Sequence, residues 1–219
     1  MMKPPILLSL ALLAPLCATL ASPAWAEQAQ GASAPADSRA PDQLVKSTIE
    51  QVMNAIKTDP GARAGDPERT YQLVQQHFLP STDFLLTTRY AVGPAWNTAT
   101  PAQRDALFKQ FQTLLARTYA LQLTQLQAQN TSFKYAPAGA SAGAGNANDA
   151  VVRTTVVTDG DTMPIDYRLR KSAAGWRIYD INMMGAWMIQ VYRRQFAAQL
   201  SSGGVDGLIK YLAAHNAAP

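Results

Sequence analysis

Two pairs of adjacent side chains, Asp166-Tyr167 and Tyr179-Asp180, are the residues best suited by type to acid–base chemistry. A carboxylate or phenol held in a pocket can take or give a proton if its surroundings tune its pKa. Asp180 nonetheless reads as an anchor that accepts hydrogen bonds from backbone N–H groups rather than as a base. The two histidines, His77 and His215, fall in separate helices, one near a helix end and one near the chain terminus. Neither a zinc site nor a Ser-His-Asp triad has its residues together. No catalytic residue, metal ligand or cofactor site is assigned, and the chain reads as something other than an enzyme.

What the chain offers instead is apolar surface, placed in a sequence arranged for export. Lys3 precedes an apolar run from Ile6 to Leu20, and Ala24-Trp25-Ala26 supplies small residues where a signal peptidase reads, so cleavage is expected after Ala26. The run is too short to span a bilayer and is broken by Pro15. Leu16 before Cys17 does not fit a lipobox, and Cys17, the sole cysteine, leaves with residues 1–26. The remaining chain has no disulfide, thiol or cysteine-metal chemistry and must hold its core by burial. Only one charge, Lys3, goes with the leader, so 19 cationic and 15 acidic side chains become 18 and 15. That slight excess suits anionic headgroups or acidic partners and equally an ordinary basic protein. Nucleic-acid binding finds no support, because Arg170-Lys171 and Arg193-Arg194 are the tight basic pairs and no aromatic platform is interleaved with either.

Residues 27–41 are mostly Ala, Gly, Ser, Pro and Gln with little to bury and are expected to form a flexible lead-in. A single domain is expected over 42–216, with helices in 42–128, a sheet over 130–183 and helices again over 186–215. Asp42 is expected to cap a helix carrying Val45, Ile49, Val52 and Ile56 on one face. Asp66-Pro67 opens a second helix with Tyr71, Val74 and Phe78 inward, ended by Pro80, and Asp83 to Tyr90 forms a short third. Thr100-Pro101-Ala102-Gln103 is a capping box starting the longest helix, whose apolar face runs through Leu107, Phe108, Phe111, Leu114, Leu115 and Thr118 and on through Tyr119, Leu121 and Leu123 toward Leu126. The period then becomes alternating. Strands are expected at 131–135, 150–158, 162–171 and 176–183, with an Ala/Gly-rich loop at 136–148 and turns at Asp159-Gly160-Asp161 and 172–175. In the third strand Met163, Ile165, Tyr167 and Leu169 face one way and Asp166, Arg168 and Arg170 the other. Gly185 breaks the last strand before a helix from 186 to 200, and Gly203-Gly204 precedes a final helix, 206–215.

Two sets of residues carry a family resemblance. The first is Ala91-Val92-Gly93, Trp96, Thr98 to Arg104, Phe108, Phe111 and Tyr119; the second is Arg170-Lys171, Trp176, Tyr179-Asp180, Gly185, Tyr192-Arg193, Phe196 and Asp206-Gly207-Leu208-Ile209. In order and spacing they resemble the periplasmic MlaC family of toluene-tolerance auxiliary proteins over nearly all of the chain after Ala26. The resemblance implies an α+β fold in which a helical layer wraps a curved antiparallel sheet of about four strands, like that of nuclear transport factor 2, with additional helices enclosing an apolar cavity. It implies a monomeric periplasmic carrier of phospholipid between an outer-membrane lipoprotein-porin complex and an inner-membrane ABC transporter with a lipid-binding ring, maintaining outer-membrane lipid asymmetry. One departure is Met184-Gly185-Ala186-Trp187, where the family commonly has a Glu-Gly-Val-Ser-like turn.

A diacyl lipid with roughly 30 methylenes at about 0.8 kcal/mol each would lose on the order of 24 kcal/mol in water, so such a carrier must offer a dry site. Inward residues nominated for it are Val52, Phe111, Leu115, Tyr119, Val156, Ile165, Tyr167, Ile178, Met184, Trp187 and Val191. For Trp187, core filling is the competing role. Arg89, Arg104, Arg168, Arg193 and Arg194 are the partner-docking candidates. The alternatives are a carrier of another lipid such as a hopanoid, a pocket enzyme on the same fold, and a scaffold module without a cavity.

Overall fold

The computed structural model describes residues 38–127, 131–136 and 147–217. The expected signal peptide, most of the lead-in and the greater part of the Ala/Gly-rich loop lie outside the described residues. Helix α1, Pro41–Thr58, is capped by Ala40 and not by Asp42, which sits in the first turn. Pro41 needs no N–H partner and is preset for helical φ, so the helix starts two residues earlier than the acid suggests. A single turn α2, Pro60–Arg63, follows Asp59, whose carboxylate accepts from Ala62 N and pairs with Arg69 at 2.7 Å. Asp66 caps α3, Pro67–His77, as expected, by accepting from Glu68 N and Arg69 N. Leu73 and Val74 of α3 are buried, whereas Tyr71, expected inward, is half-buried against the Arg117 guanidinium. After a 3-10 turn at Leu79–Ser81, Asp83 caps α4, Phe84–Val92, which stops at Gly93 with φ 70°. The one-turn α5, Ala95–Thr98, precedes α6, Pro101–Gln127. The capping box of α6 is present, with Thr100 N donating to Gln103 Oε1 at 2.9 Å and Gln103 N to Thr100 Oγ1 at 3.2 Å. Leu121 does not extend the apolar face of α6, since it is 53% exposed.

Strands β1 (Thr131–Tyr135), β2 (Asp149–Thr158), β3 (Asp161–Ser172), β4 (Gly175–Met183) and β5 (Ala186–Trp187) pair in sequence order as an antiparallel meander. The sheet thus has five strands where about four were expected. Asp159 and Gly160 both have positive φ, which matches the right-handed twist of the β2–β3 hairpin. Met184 and Gly185 repeat that geometry, so Ala186 and Trp187 turn back against β4 instead of opening a helix. The last helix, α7, is Met188–Ala217, with non-helical backbone inside it at Gly204. The expected division into two helices is therefore a break at one glycine, which only a residue lacking Cβ adopts readily.

Three apolar clusters hold these elements. Leu44, Val45, Ile49 and Met53 of α1 cover the inner face of the sheet, formed by Ala150, Val152, Val156, Ile165, Tyr167, Leu169 and Ile178. The alternation expected in β3 places Ile165, Tyr167 and Leu169 inward. A second cluster joins α4, α6 and α7 around Phe111, whose ring lies 5.0 Å from both Tyr192 and Phe196. A third, smaller one ties Val52 and Ile56 to Ala62 and Leu73.

Candidate lipid-binding cavity

One irregularity in β4 shapes the space between sheet and helices. The register passes from Arg168↔Asp180 to Leu169↔Ile178, so Tyr179 is an extra residue with nothing opposite it on β3. Such a bulge bends its strand and resets which side chains share a face. Ile178 and Ile181 consequently both line the cavity although they are three apart. Backbone groups around the bulge are taken up by α4 and the turn before it. Ile178 O accepts from Asp83 N at 2.8 Å, and Tyr179 O accepts from Thr87 Oγ1 at 2.7 Å.

Asp180 anchors the next element. Fully buried, its Oδ1 accepts from Ile181 N and from Ile189 N in the first turn of α7, both at 3.0 Å, while Oδ2 pairs with Arg168 at 3.2 Å. The anchoring role expected of Asp180 is what the geometry gives. Burial pushes its pKa above the ordinary carboxylate value, against the opposing pull of Ile189 N–H and Arg168. Arg168 in turn sits over Trp187, its guanidinium carbon 3.7 Å from the ring centre. Trp187 therefore locks the β4–β5 turn to the sheet and does not line the cavity.

The cavity itself is bounded by α1, α3, α4, α6, the start of α7 and the inner sheet face, and its volume is about 160 Å³. At roughly 10–15 Å³ for each water-sized group, it admits on the order of a dozen methylenes, close to one acyl chain. Its lining is almost wholly apolar. Of the nominated residues, Val52, Leu115, Tyr119, Val156, Ile165, Tyr167 and Ile178 line it. Phe111, Met184, Trp187 and Val191 do not. Phe111 faces the α4–α6–α7 cluster, Met184 is 76% exposed at the tip of a turn, and Val191 is half-buried on α7. The pattern missed Phe78, Phe133, Met163 and Met183, which also line the cavity. Met163 was visible as the inward phase of its strand, whereas Met183 has the opposite phase to Ile178 in a regular strand and reaches the cavity because of the bulge.

The nominated arginines divide by partner. Arg104 donates to Trp96 O and Asn97 O, Arg193 donates to Tyr90 O, and Arg168 is committed to Asp180 and Trp187. Arg89 and Arg194 are exposed. His77 ends α3, and His215 on α7 meets Tyr211 with tilted rings whose centres are 4.4 Å apart, so the two remain on separate helices. Asp166 receives Asn182 Nδ2 at 3.4 Å on the face away from the cavity, apart from Tyr167. Among the described residues no group of three or more His, Cys, Asp or Glu side chains is placed to hold a metal ion, and no helix is long and apolar enough to cross a membrane.

The chain is similar in fold to a solved structure. That structure is the phospholipid-binding protein of Ralstonia solanacearum in complex with a phospholipid, 40% identical to this chain, covering 80% of it and 96% of the Ralstonia chain with a TM-score of 0.73. The intermembrane phospholipid transport system binding protein MlaC of Haemophilus influenzae is 21% identical over 173 residues, which is 77% of this chain and 78% of that protein. The sequence model of the MlaC protein family matches residues 46–214, from α1 to the last turns of α7. By that match, which takes in every wall of the cavity, the chain belongs to the MlaC family.

Proposed function

We propose that this protein is a periplasmic phospholipid carrier that receives acyl chains in the cavity under α1 and exchanges its cargo with complexes in the two membranes. The observation that carries the reading is the composition of the cavity wall, where Ile49, Val52, Met53, Leu115, Val156 and Ile165 present hydrocarbon to hydrocarbon. The phospholipid bound by the Ralstonia relative and the transport role in the name of the Haemophilus relative support it. Chemistry on the cargo finds no support in the wall, because Asp180 is bound on both oxygens and Asp166 faces away.

Export with cleavage after Ala26, a lead-in to residue 41 and one lipid-binding domain over 42–216 complete the proposal. The protein acts as a monomer between an outer-membrane lipoprotein-porin complex and an inner-membrane ABC transporter with a lipid-binding ring, and so sustains lipid asymmetry of the outer membrane. Arg89 and Arg194, exposed on α4 and α7, are the docking candidates that the fold does not otherwise use. A cavity sized for about one acyl chain must widen to take a second. Met53, Met163 and Met183 on its wall give way at low cost because their side chains are unbranched and flexible.

The test is native mass spectrometry on protein purified from a periplasmic extract without detergent, followed by lipid extraction. A mass increment equal to a whole number of phospholipids supports the carrier reading, and a hopanoid mass changes the cargo. An unliganded mass that persists after incubation with phospholipid vesicles refutes it.

A further inference from the structure

Wall residues that are not buried show where the cavity opens. Among the described residues, the exposed side chain on the wall is Gln122 of α6. On the sheet, half-buried Phe133, Met163 and Met183 line the cavity at the end that carries the β2–β3 and β4–β5 turns, since Phe133 and Met163 both register with Val156 and Met183 with Ile165. Gln103 donates to Asp206 and Phe111 meets Tyr192 and Phe196, so α6 runs against the first half of α7 and its last turns come level with the β4–β5 turn. The mouth therefore has two lips. One is the end of α6 and the other is the turn at Met184-Gly185.

Each lip carries an exposed apolar side chain. Among the described residues, the exposed large hydrophobics are Leu85, Leu121 and Met184. Leu121 precedes Gln122 on one lip, and Met184 follows Met183 on the other, whereas the wall residue beside Leu85, Phe84, is buried. Met184 has φ 51° in a two-residue turn that asparagine or glycine would form with less strain. A Cβ added at Gly185 would meet nothing within 4 Å, so the turn holds its apolar tip in open space. The lips are also without charge, for no Asp, Glu, Lys or Arg occurs from Thr118 to Phe133 or from Ile181 to Tyr192. Of the charges beside them, Asp159 and Asp161 at the β2–β3 turn are acidic, Lys134 is basic, and Arg117 is bonded to Asn216 O. A protein partner is selected by charge complementarity, which such lips lack, while a lipid surface asks only for hydrocarbon. Two side chains give a brief hold, as a carrier that must depart requires.

We propose that Leu121 and Met184 dip into a lipid surface during loading and release, so that acyl chains pass between bilayer and cavity without crossing water. This rests on the phospholipid-carrier reading and adds to it the face that meets the lipid. Leu121→Cys, Met184→Cys and, as the comparison, Leu85→Cys are made singly in the full chain with Cys17→Ala, and each is labelled with an environment-sensitive fluorophore. Ala186→Cys, exposed on the same turn, takes the place of Met184→Cys if that strained position rejects the label. With phosphatidylcholine vesicles the labels on the two lips should brighten and shift to the blue, the label on α4 should not, and the response should be indifferent to salt. Without labels, Leu121→Gln and Met184→Gln should each reduce partitioning onto those vesicles roughly five- to tenfold. Silence at both lips in protein that carries lipid by native mass spectrometry overturns the inference and leaves the carrier reading standing. An equal response at Leu85, or one that needs phosphatidylglycerol and disappears in salt, also overturns it, as does unchanged partitioning of the double glutamine variant.

Discussion

Emptying an apolar cavity leaves its walls without partner atoms, and the structure sets the scale of the loss. A space of about 160 Å³ lined by hydrocarbon, taken at about 24 cal/mol per Å³ of void, corresponds to roughly 4 kcal/mol between the filled and the empty protein. For a domain of this size, about 2–4 °C of melting temperature accompanies each kcal/mol, so stripping the lipid should lower Tm by roughly 8–16 °C. The assay is differential scanning calorimetry on protein as purified, on protein stripped by organic extraction and refolding, and on stripped protein returned to phospholipid vesicles. The last sample should recover the first one's Tm. Val156→Trp provides the internal control, because Val156 is 1% exposed and lines the cavity between Phe133 and Met163. Its indole should occupy part of the void, so the stripped variant should melt close to the loaded one and load little lipid. If stripped and loaded wild type melt within a degree or two of each other, the unloaded cavity is not an open apolar void and the reasoning fails.

Asp180→Ala should destabilise by about 2–3 kcal/mol in urea denaturation, since it strands Ile189 N–H and the Arg168 guanidinium; an unchanged midpoint would show that the anchor is dispensable. Because burial raises the folded pKa of Asp180 above its ordinary 3.8, its share of stability is greatest below that value and falls as pH rises through the folded pKa. The difference in unfolding free energy between wild type and Asp180→Asn should therefore shift in favour of wild type as pH is lowered from neutrality toward 4, and a pH-independent difference would contradict the sign. Phe111→Ala should cost about 3–5 kcal/mol while the folded fraction loads lipid normally, because Phe111 packs on Phe84, Tyr192 and Phe196 and not on the cavity; selective loss of lipid at unchanged stability would place it in the wall after all. Thr100→Ala, which removes one half of the α6 capping box, should cost about 1 kcal/mol by the same denaturation assay, and no loss would mean Gln103 alone closes that helix end.

Features set by local chemistry were legible in the sequence. Thr100-Pro101 with Gln103 defines the start of α6, Asp66-Pro67 that of α3, and Asp159-Gly160 the hairpin turn, because each depends on a few adjacent residues and a backbone preference. The alternation of β3 was equally plain. Phe111 and Leu115 show where this ends, since they stand four apart on one stripe of α6, yet one meets α7 and the other the cavity. Nothing in helical period distinguishes them, because the difference lies in what the rest of the chain places opposite. Strand β5 spans two residues, too few for any period to register, and the role of one of them, Trp187, is decided by Arg168, whose guanidinium lies over its ring.

The bulge at Tyr179 links these points. A strand that alternated regularly would send Ile178 and Ile181 to opposite faces, and the inner wall would lose one of them. Inserting Tyr179 restores both to the cavity and turns Asp180 toward α7, where its carboxylate fixes the first turn of that helix. The same insertion offers Ile178 O and Tyr179 O to Asp83 and Thr87, which binds α4 to the same stretch of strand. One side of the cavity is thereby held by directional bonds, which resist displacement until they break. On the other side, Met53 of α1, Met163 of β3 and Phe133 of β1 meet the cavity through apolar contact, which is non-directional and tolerates sliding. Widening for a second acyl chain should accordingly move α1 and β1 and leave α4 and the first turn of α7 in place. Amide hydrogen exchange compared between stripped and loaded protein should change protection along α1 and β1 and hardly at all at Ile181 and Ile189. Equal changes on both sides would remove the distinction between a fixed and a yielding wall.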